Sequence, residues 1–265
     1  MGTRLALLVL AVWLLAGLIG PWLPLTPFEV ALPHVLEGPG SGALLGFDAL
    51  GRPVLDRLVV GARVSLLVAV SAVSVSLLAG AALGTLSAWI GGVFDHLVVR
   101  VIDVFLAFPG ILLAIALAGI LGPGIENVII ALATVGWVGY ARLARAQTLS
   151  LRRREHVLAA VALGAGTLRI VSRHLLPLAA APLIVEATFG VAGAIIAEAG
   201  LSFLGLGVQP PEPSWGSLIR EGTRYMLVAP HLVVAPALAV LAVVLAVNLL
   251  GDRLRDRLDV RAATR

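Results

Sequence analysis

Three carboxylates interrupt otherwise apolar runs of this chain, and their type and setting make them its candidate chemical groups: Asp103, Glu186 and Glu198. An ionisable side chain at membrane depth is costly, so it marks either a path for a cationic group or metal ion, or a partnership with Arg or backbone at a helix interface. For Glu198, twelve residues beyond Glu186, both readings stand; for Glu186 and Asp103 the structural partnership is preferred. His34, His96, His156, His174 and His231 are scattered, and none has a second ligand at metal-binding spacing. The chain has no Cys, which excludes disulfides, thiolate metal sites and cysteine nucleophiles. A membrane-embedded protease would need a nucleophile and base together at membrane depth, yet the Ser-rich run from Val64 to Phe94 contains neither His nor Asp. With no Lys anywhere, a phosphate-binding Gly-x-x-x-x-Gly-Lys-Ser/Thr loop is impossible, so any ATP chemistry has to come from a partner.

The elements that must position these acids are membrane helices. Sixty per cent of the residues are hydrophobic and 13% charged, against about half and a quarter in a soluble domain. Leu, Val and Ala dominate and aromatics are few, the composition of a helical membrane protein rather than a barrel. The formal charge of +4 sits in short clusters between apolar runs, which reads as a topology signal and not as a nucleic-acid surface. A span needs about 20 predominantly apolar residues, and six stretches qualify: Leu5 to about Leu25, a run within Val64 to Phe94, Val101 to Leu121, Ile125 to Ala144, Leu178 to Leu201, and Met226 to Leu250. The first is read as an uncleaved helix, residues 1–25, because no small-residue cleavage site follows it. A periplasmic segment is expected over 26–62, a five-helix core over 63–252 and a cytoplasmic tail over 253–265. With both termini in the cytoplasm, fourteen Arg fall on the inner side and five (Arg52, Arg57, Arg63, Arg220, Arg224) on the outer, as the retention of positive charge inside requires.

The inner segment of about 142–177 is the most informative. Leu151 to Leu163 reads as helix, broken by Gly164 and Gly166; Thr167 is a candidate N-cap for a second short helix ending at Leu175-Leu176-Pro177. Such a helix-turn-helix could lie on the membrane surface with its Arg at headgroups. It could instead dock a soluble partner, since Ala159, Ala160, Gly164 and Ala165 expose a closely approachable backbone.

Glu155 to Pro177, EHVLAAVALGAGTLRIVSRHLLP, resembles the cytoplasmic signature of binding-protein-dependent ABC importer permeases, with Ala159, Ala160, Gly164, Leu176 and Pro177 matching its Ala pair, Gly and distal Leu-Pro. The resemblance extends to GFDALGRPVLDRLVVGARVSL from Gly46, DVFLAFPGILLAIAL from Asp103, AEAGLSFLGLGVQPPEPSWG from Ala197 and NLLGDRLRDRLDVR from Asn248. It is similar to the C-type permease subunit of the dipeptide, oligopeptide and nickel subfamily. Leu158 stands where the signature has Glu, Val161 where Arg is common, and Pro53 where an Asp follows Gly-Arg.

This resemblance implies an all-α membrane protein of six transmembrane helices in the type I importer architecture, non-catalytic, multi-pass in the inner (plasma) membrane. It implies a second permease subunit (a heterodimer), two ATP-binding subunits that carry the ATP and Mg, a periplasmic or lipid-anchored solute-binding protein, and no nucleic acid. Glu155, Ala159, Ala160, Gly164 and Ala165 would form the coupling helix that docks on the ATPase; Glu186 and Glu198 are candidates for the translocation path of a peptide or nickel. Pro210 to Gly216 would be a stiff outer loop near the binding protein, or else a rigid cap with its Trp at the membrane interface. The alternative is a secondary transporter working without an ATPase, although no internal repeat of the kind common in such proteins is seen.

Overall fold

The computed structural model describes residues 2–40 and 42–263, with backbone only for Pro21 and for 259–263. Arg265, counted among the inner cations, lies outside the described residues, as does the side chain of Arg261. The helices are α1 (Gly2–Ile19), α2 (Val54–Ile90), α3 (Gly92–Leu106), α4 (Gly110–Leu121), α5 (Ile125–Leu151), α6 (Glu155–Ala162), α7 (Thr167–Ile170), α8 (Leu176–Phe203), α9 (Trp215–Thr223) and α10 (His231–Ala263). Among the described residues the one extended pairing is an isolated antiparallel bridge between Phe47 and Pro53. Five helices are long and apolar enough to cross a membrane, and α3 with α4 makes a sixth crossing if the bent pair is one span.

That bend departs from the continuous third span expected over Val101 to Leu121. The two halves meet at 87°. Pro109 stands at the N-cap of α4 with an extended backbone; it has no N–H to give, and it disfavours helix at the residue before it. Alone, the 12 residues of α4 reach about 18 Å, well short of the roughly 30 Å hydrocarbon core.

α2 begins at Val54, within the expected periplasmic segment over 26–62. Its 37 residues span about 55 Å, nearly twice the hydrocarbon thickness, and the charged Asp56, Arg57 and Arg63 lie in the end nearest the outer segment. At its N-cap Pro53 offers no side-chain cap, and this is the position where the family pattern has Asp, a favoured capping residue. Asp56 in the first turn complements the helix dipole instead and accepts a hydrogen bond from the Thr26 backbone at 2.9 Å. At the other terminus α10 continues without a break through the expected tail as far as Ala263.

α2 is the central helix and packs on α1, α5 and α8, while α10 packs on α1, α8 and α9. Its buried face is a ladder of small residues, Gly61, Ser65, Ala69, Ala72, Ser76, Gly80 and Gly84, spaced three or four apart so that they share one side of the helix. With lipid as apolar as the helices themselves, close backbone approach and dispersion contacts drive such association. Cβ atoms added at Gly80 and Gly84 would run into the backbone of Trp137 and Ala141 on α5.

Candidate functional site

The loop between α5 and α8 begins at the end of α5. Arg152, Arg153 and Arg154 follow its last residue, Leu151, and three cations at a helix C-terminus complement the dipole. Arg152 also donates to the Ala88 carbonyl of α2 at 3.1 Å. Arg154 is extended and serves as N-cap of α6. The single helix expected over Leu151 to Leu163 is therefore split at the Arg triplet.

α6 ends in a Schellman motif: the Ala165 N–H donates to the Ala160 carbonyl at 3.0 Å and the Gly164 N–H to the Val161 carbonyl at 2.9 Å, with Gly164 at φ +78°. The left-handed conformation is what the motif demands of that residue, so the spacing of Ala160, Gly164 and Ala165 is the spacing of one helix cap. Gly166, in extended conformation, caps α7, and Thr167 is the first helical residue instead of the expected N-cap. Nor does Leu175-Leu176-Pro177 end the second helix. A π turn over Val171–Leu175 leads straight into α8, with Pro177 in its first turn. The missing N–H and the bulk of a proline ring need such a local widening.

One face of the loop is welded to the bundle. Val157, Ile170, Val171 and Leu175 are buried in a cluster with Leu151 of α5 and Leu183 of α8. The opposite face is bare: Leu158 is 54% exposed, Val161 45% and Leu163 88%. Glu155, Ala159 and Gly164 are exposed beside them, and Ala160 and Ala165 are half-buried. The positions that depart from the family signature, Leu158 and Val161, thus lie on the bare face.

Two cavities run along the α5 and α8 faces. The first, about 590 Å³, is walled by small and apolar residues including Ala72, Ile111, Ala114, Gly136 and Ala197. The second, about 760 Å³, is lined by Asp103, Arg142, Arg145 and Glu186 among others. Gly139 and Glu186 belong to both. Glu198 lies elsewhere. It is 1% exposed, and its carboxylate accepts from the Ser202 hydroxyl at 2.7 Å and from Ser65 of α2 at 3.5 Å. Of the two acids singled out from sequence, Glu186 stands at a cavity wall and Glu198 inside the helix packing.

A third constellation joins the segment before α2 to α2 and α9. Asp48 Oδ2 receives Arg52 Nε and Arg57 Nη1, both at 2.7 Å, while Oδ1 accepts the Leu50 and Arg52 backbone N–H groups. Arg57 Nη1 also reaches Glu221 of α9 at 2.7 Å. Arg57 is 1% exposed, so these ion pairs clamp the outer segment, α2 and α9 with little water around the guanidinium. Asp48→Ala leaves Arg57 with Glu221 as its remaining carboxylate partner, and the loss of a buried charge-assisted bond is expected to cost about 1.5–3 kcal/mol, lowering the melting temperature in detergent by about 3–12 °C. A melting curve superimposable on the wild type would show the clamp to be dispensable.

Trp215, weighed as an interfacial residue, is instead buried at 3% exposure, with its indole N–H donating to the Leu58 carbonyl at 2.9 Å. Ser214 and Ser217 form a reciprocal capping box at the start of α9. Sequence separation hid the clamp, whose bonded partners lie up to 169 positions apart, and it also hid the approach of His156 to His174, ring centroids 6.2 Å apart. Among the described residues no group of three or more His, Asp or Glu could hold a metal ion.

Residues 76–264 match the family described as binding-protein-dependent transport system inner membrane component. The chain is similar to a di/tripeptide transport system permease protein of Pseudomonas aeruginosa, 44% identical over 261 residues that cover 97% of this chain and 86% of the relative. A glutathione transport system permease protein of Pectobacterium atrosepticum is 43% identical over 84% of this chain and 74% of its own length. A dipeptide transport system permease protein of Alkalihalophilus pseudofirmus is 40% identical over 96% of this chain and 84% of its own length.

Proposed function

The chain belongs to the binding-protein-dependent transport system inner membrane components, and on that premise we propose that it forms half of the pathway of an ATP-driven importer of short peptides. The observation that carries the reading is the combination at the inner loop: a bare apolar helix face, rigidly seated by Val157, Ile170 and Leu175 on the two helices that wall the cavities. A partner gripping α6 would move α5 and α8 relative to each other. ATP-driven closure of two ATPase subunits would supply the differential binding energy that biases inward- and outward-open arrangements.

ATP and Mg belong to those subunits, since this chain has no Lys and hence no phosphate-binding loop. A second, different permease completes the pathway, a solute-binding protein delivers cargo from outside, and both termini face the cytoplasm, as the distribution of Arg supports. Peptide is the cargo class carried by the relatives' names; nickel, the other cargo implied by the sequence resemblance, has no counterpart among the three relatives compared.

The test is co-purification in mild detergent of the tagged chain and of a version lacking residues 155–173. The intact chain is expected to bring down an ATP-binding subunit and a second permease, and the deletion to lose the ATPase alone. An intact chain that purifies with no ATPase sinks the coupling assignment and favours a secondary transporter.

A further inference from the structure

Asp103, Arg142 and Glu186 line the same cavity of about 760 Å³, and among the described residues none of the three side chains makes a hydrogen bond or ion pair. Arg145, on the same wall, is already engaged, with Asp95 at 2.7 Å. Glu186 lies ten residues into α8, within the apolar helical stretch Thr167–Phe203 that is long enough to cross a membrane. Charges held in such a stretch without partners are expensive and are kept where something charged visits them. Both signs are present, and the neighbouring cavity of about 590 Å³ is nearly all apolar. A solute moving from one cavity to the other passes Glu186, which belongs to both.

We propose that this mixed-charge cavity is a peptide-binding vestibule within the permease, in which Glu186 receives the ammonium group of a peptide and Arg142 its carboxylate, so that the subunit itself selects among charged peptides. Asp103 adds a second anion on the same wall. An apolar chamber favours neither sign, whereas a wall with separated opposite charges suits a zwitterion and discriminates between net-cationic and net-anionic cargo. The inference rests on the importer reading and adds a specificity element to it.

The experiment uses the whole transporter in proteoliposomes with its own binding protein, and measures ATP-driven uptake of Lys-Ala and Glu-Ala. Comparing each variant's Lys-Ala to Glu-Ala ratio with that of the wild type cancels what the binding protein contributes. Glu186→Gln is expected to lower the Lys-Ala to Glu-Ala ratio by about five- to tenfold, and Arg142→Gln to raise it by a similar factor. A merely structural role would depress both peptides equally and leave the ratio still. An unchanged ratio in both variants, or loss of the second permease on purification, overturns the proposal, the latter by assigning these charges to the subunit interface. Absence of ATP-driven uptake in the wild-type assembly would instead overturn the importer reading itself.

Discussion

Replacing Gly164 with leucine is expected to abolish ATP-driven peptide uptake while leaving membrane insertion and the yield of helical protein unchanged. The residue sits at φ +78°, a conformation that costs a non-glycine residue about 1–2 kcal/mol. Nothing in the subunit lies within 4 Å of an added Cβ, so the substitution meets no internal clash and that strain is all the isolated chain feels. The consequence falls on the exposed loop: either the Schellman bonds to Ala160 and Val161 open and α6 changes its exit angle, or they hold and a leucine stands on the surface that a partner must approach. Gly164→Ala separates the two, since it carries the strain with almost none of the bulk. Uptake in reconstituted vesicles, set against peptide-stimulated ATP hydrolysis, reads the result; normal uptake by the leucine variant would end the assignment of this loop to coupling.

Gly84→Leu acts on the fold itself. The added side chain is aimed at the carbonyl, carbon and Cα of Ala141, and a helix backbone cannot move aside as a flexible side chain can. Overpacking a filled interface typically costs about 1–3 kcal/mol; here, with backbone as the obstacle at the most extensive helix contact of the molecule, the upper end is expected. Loss of the monodisperse peak on size-exclusion chromatography in detergent would show it. Gly119→Leu on α4, where an added Cβ has open space, is the matched control and should behave as wild type.

Much of this was legible from residue order. Apolar length located the membrane helices, and Gly164 with Gly166 marked the end of α6, because both signals are local. The bend at Pro109 was present in the sequence, but the hydrophobic run on either side outweighed it when the span was read by hydropathy alone. Of the two acids in one apolar helix, residue order favoured the structural reading for Glu186 and left Glu198 open between a structural partnership and the path. What separates them is rotation about α8: Glu198 meets Ser65 and Ser202, and Glu186 faces the cavities. No periodicity reports which neighbour lies across an interface. For the same reason Arg57, counted only as an outer cation, was not recognisable as the centre of a buried clamp with Asp48 and Glu221.

The knot of Val157, Ile170, Val171 and Leu175 has a consequence for economy. These side chains fasten the loop simultaneously to α5 and α8. Under the coupling to an ATPase proposed above, that knot would make the loop a lever with little lost motion; a slack one would let the motor turn over without moving cargo, so the fit of four aliphatic side chains would bear on how much fuel each imported molecule consumes.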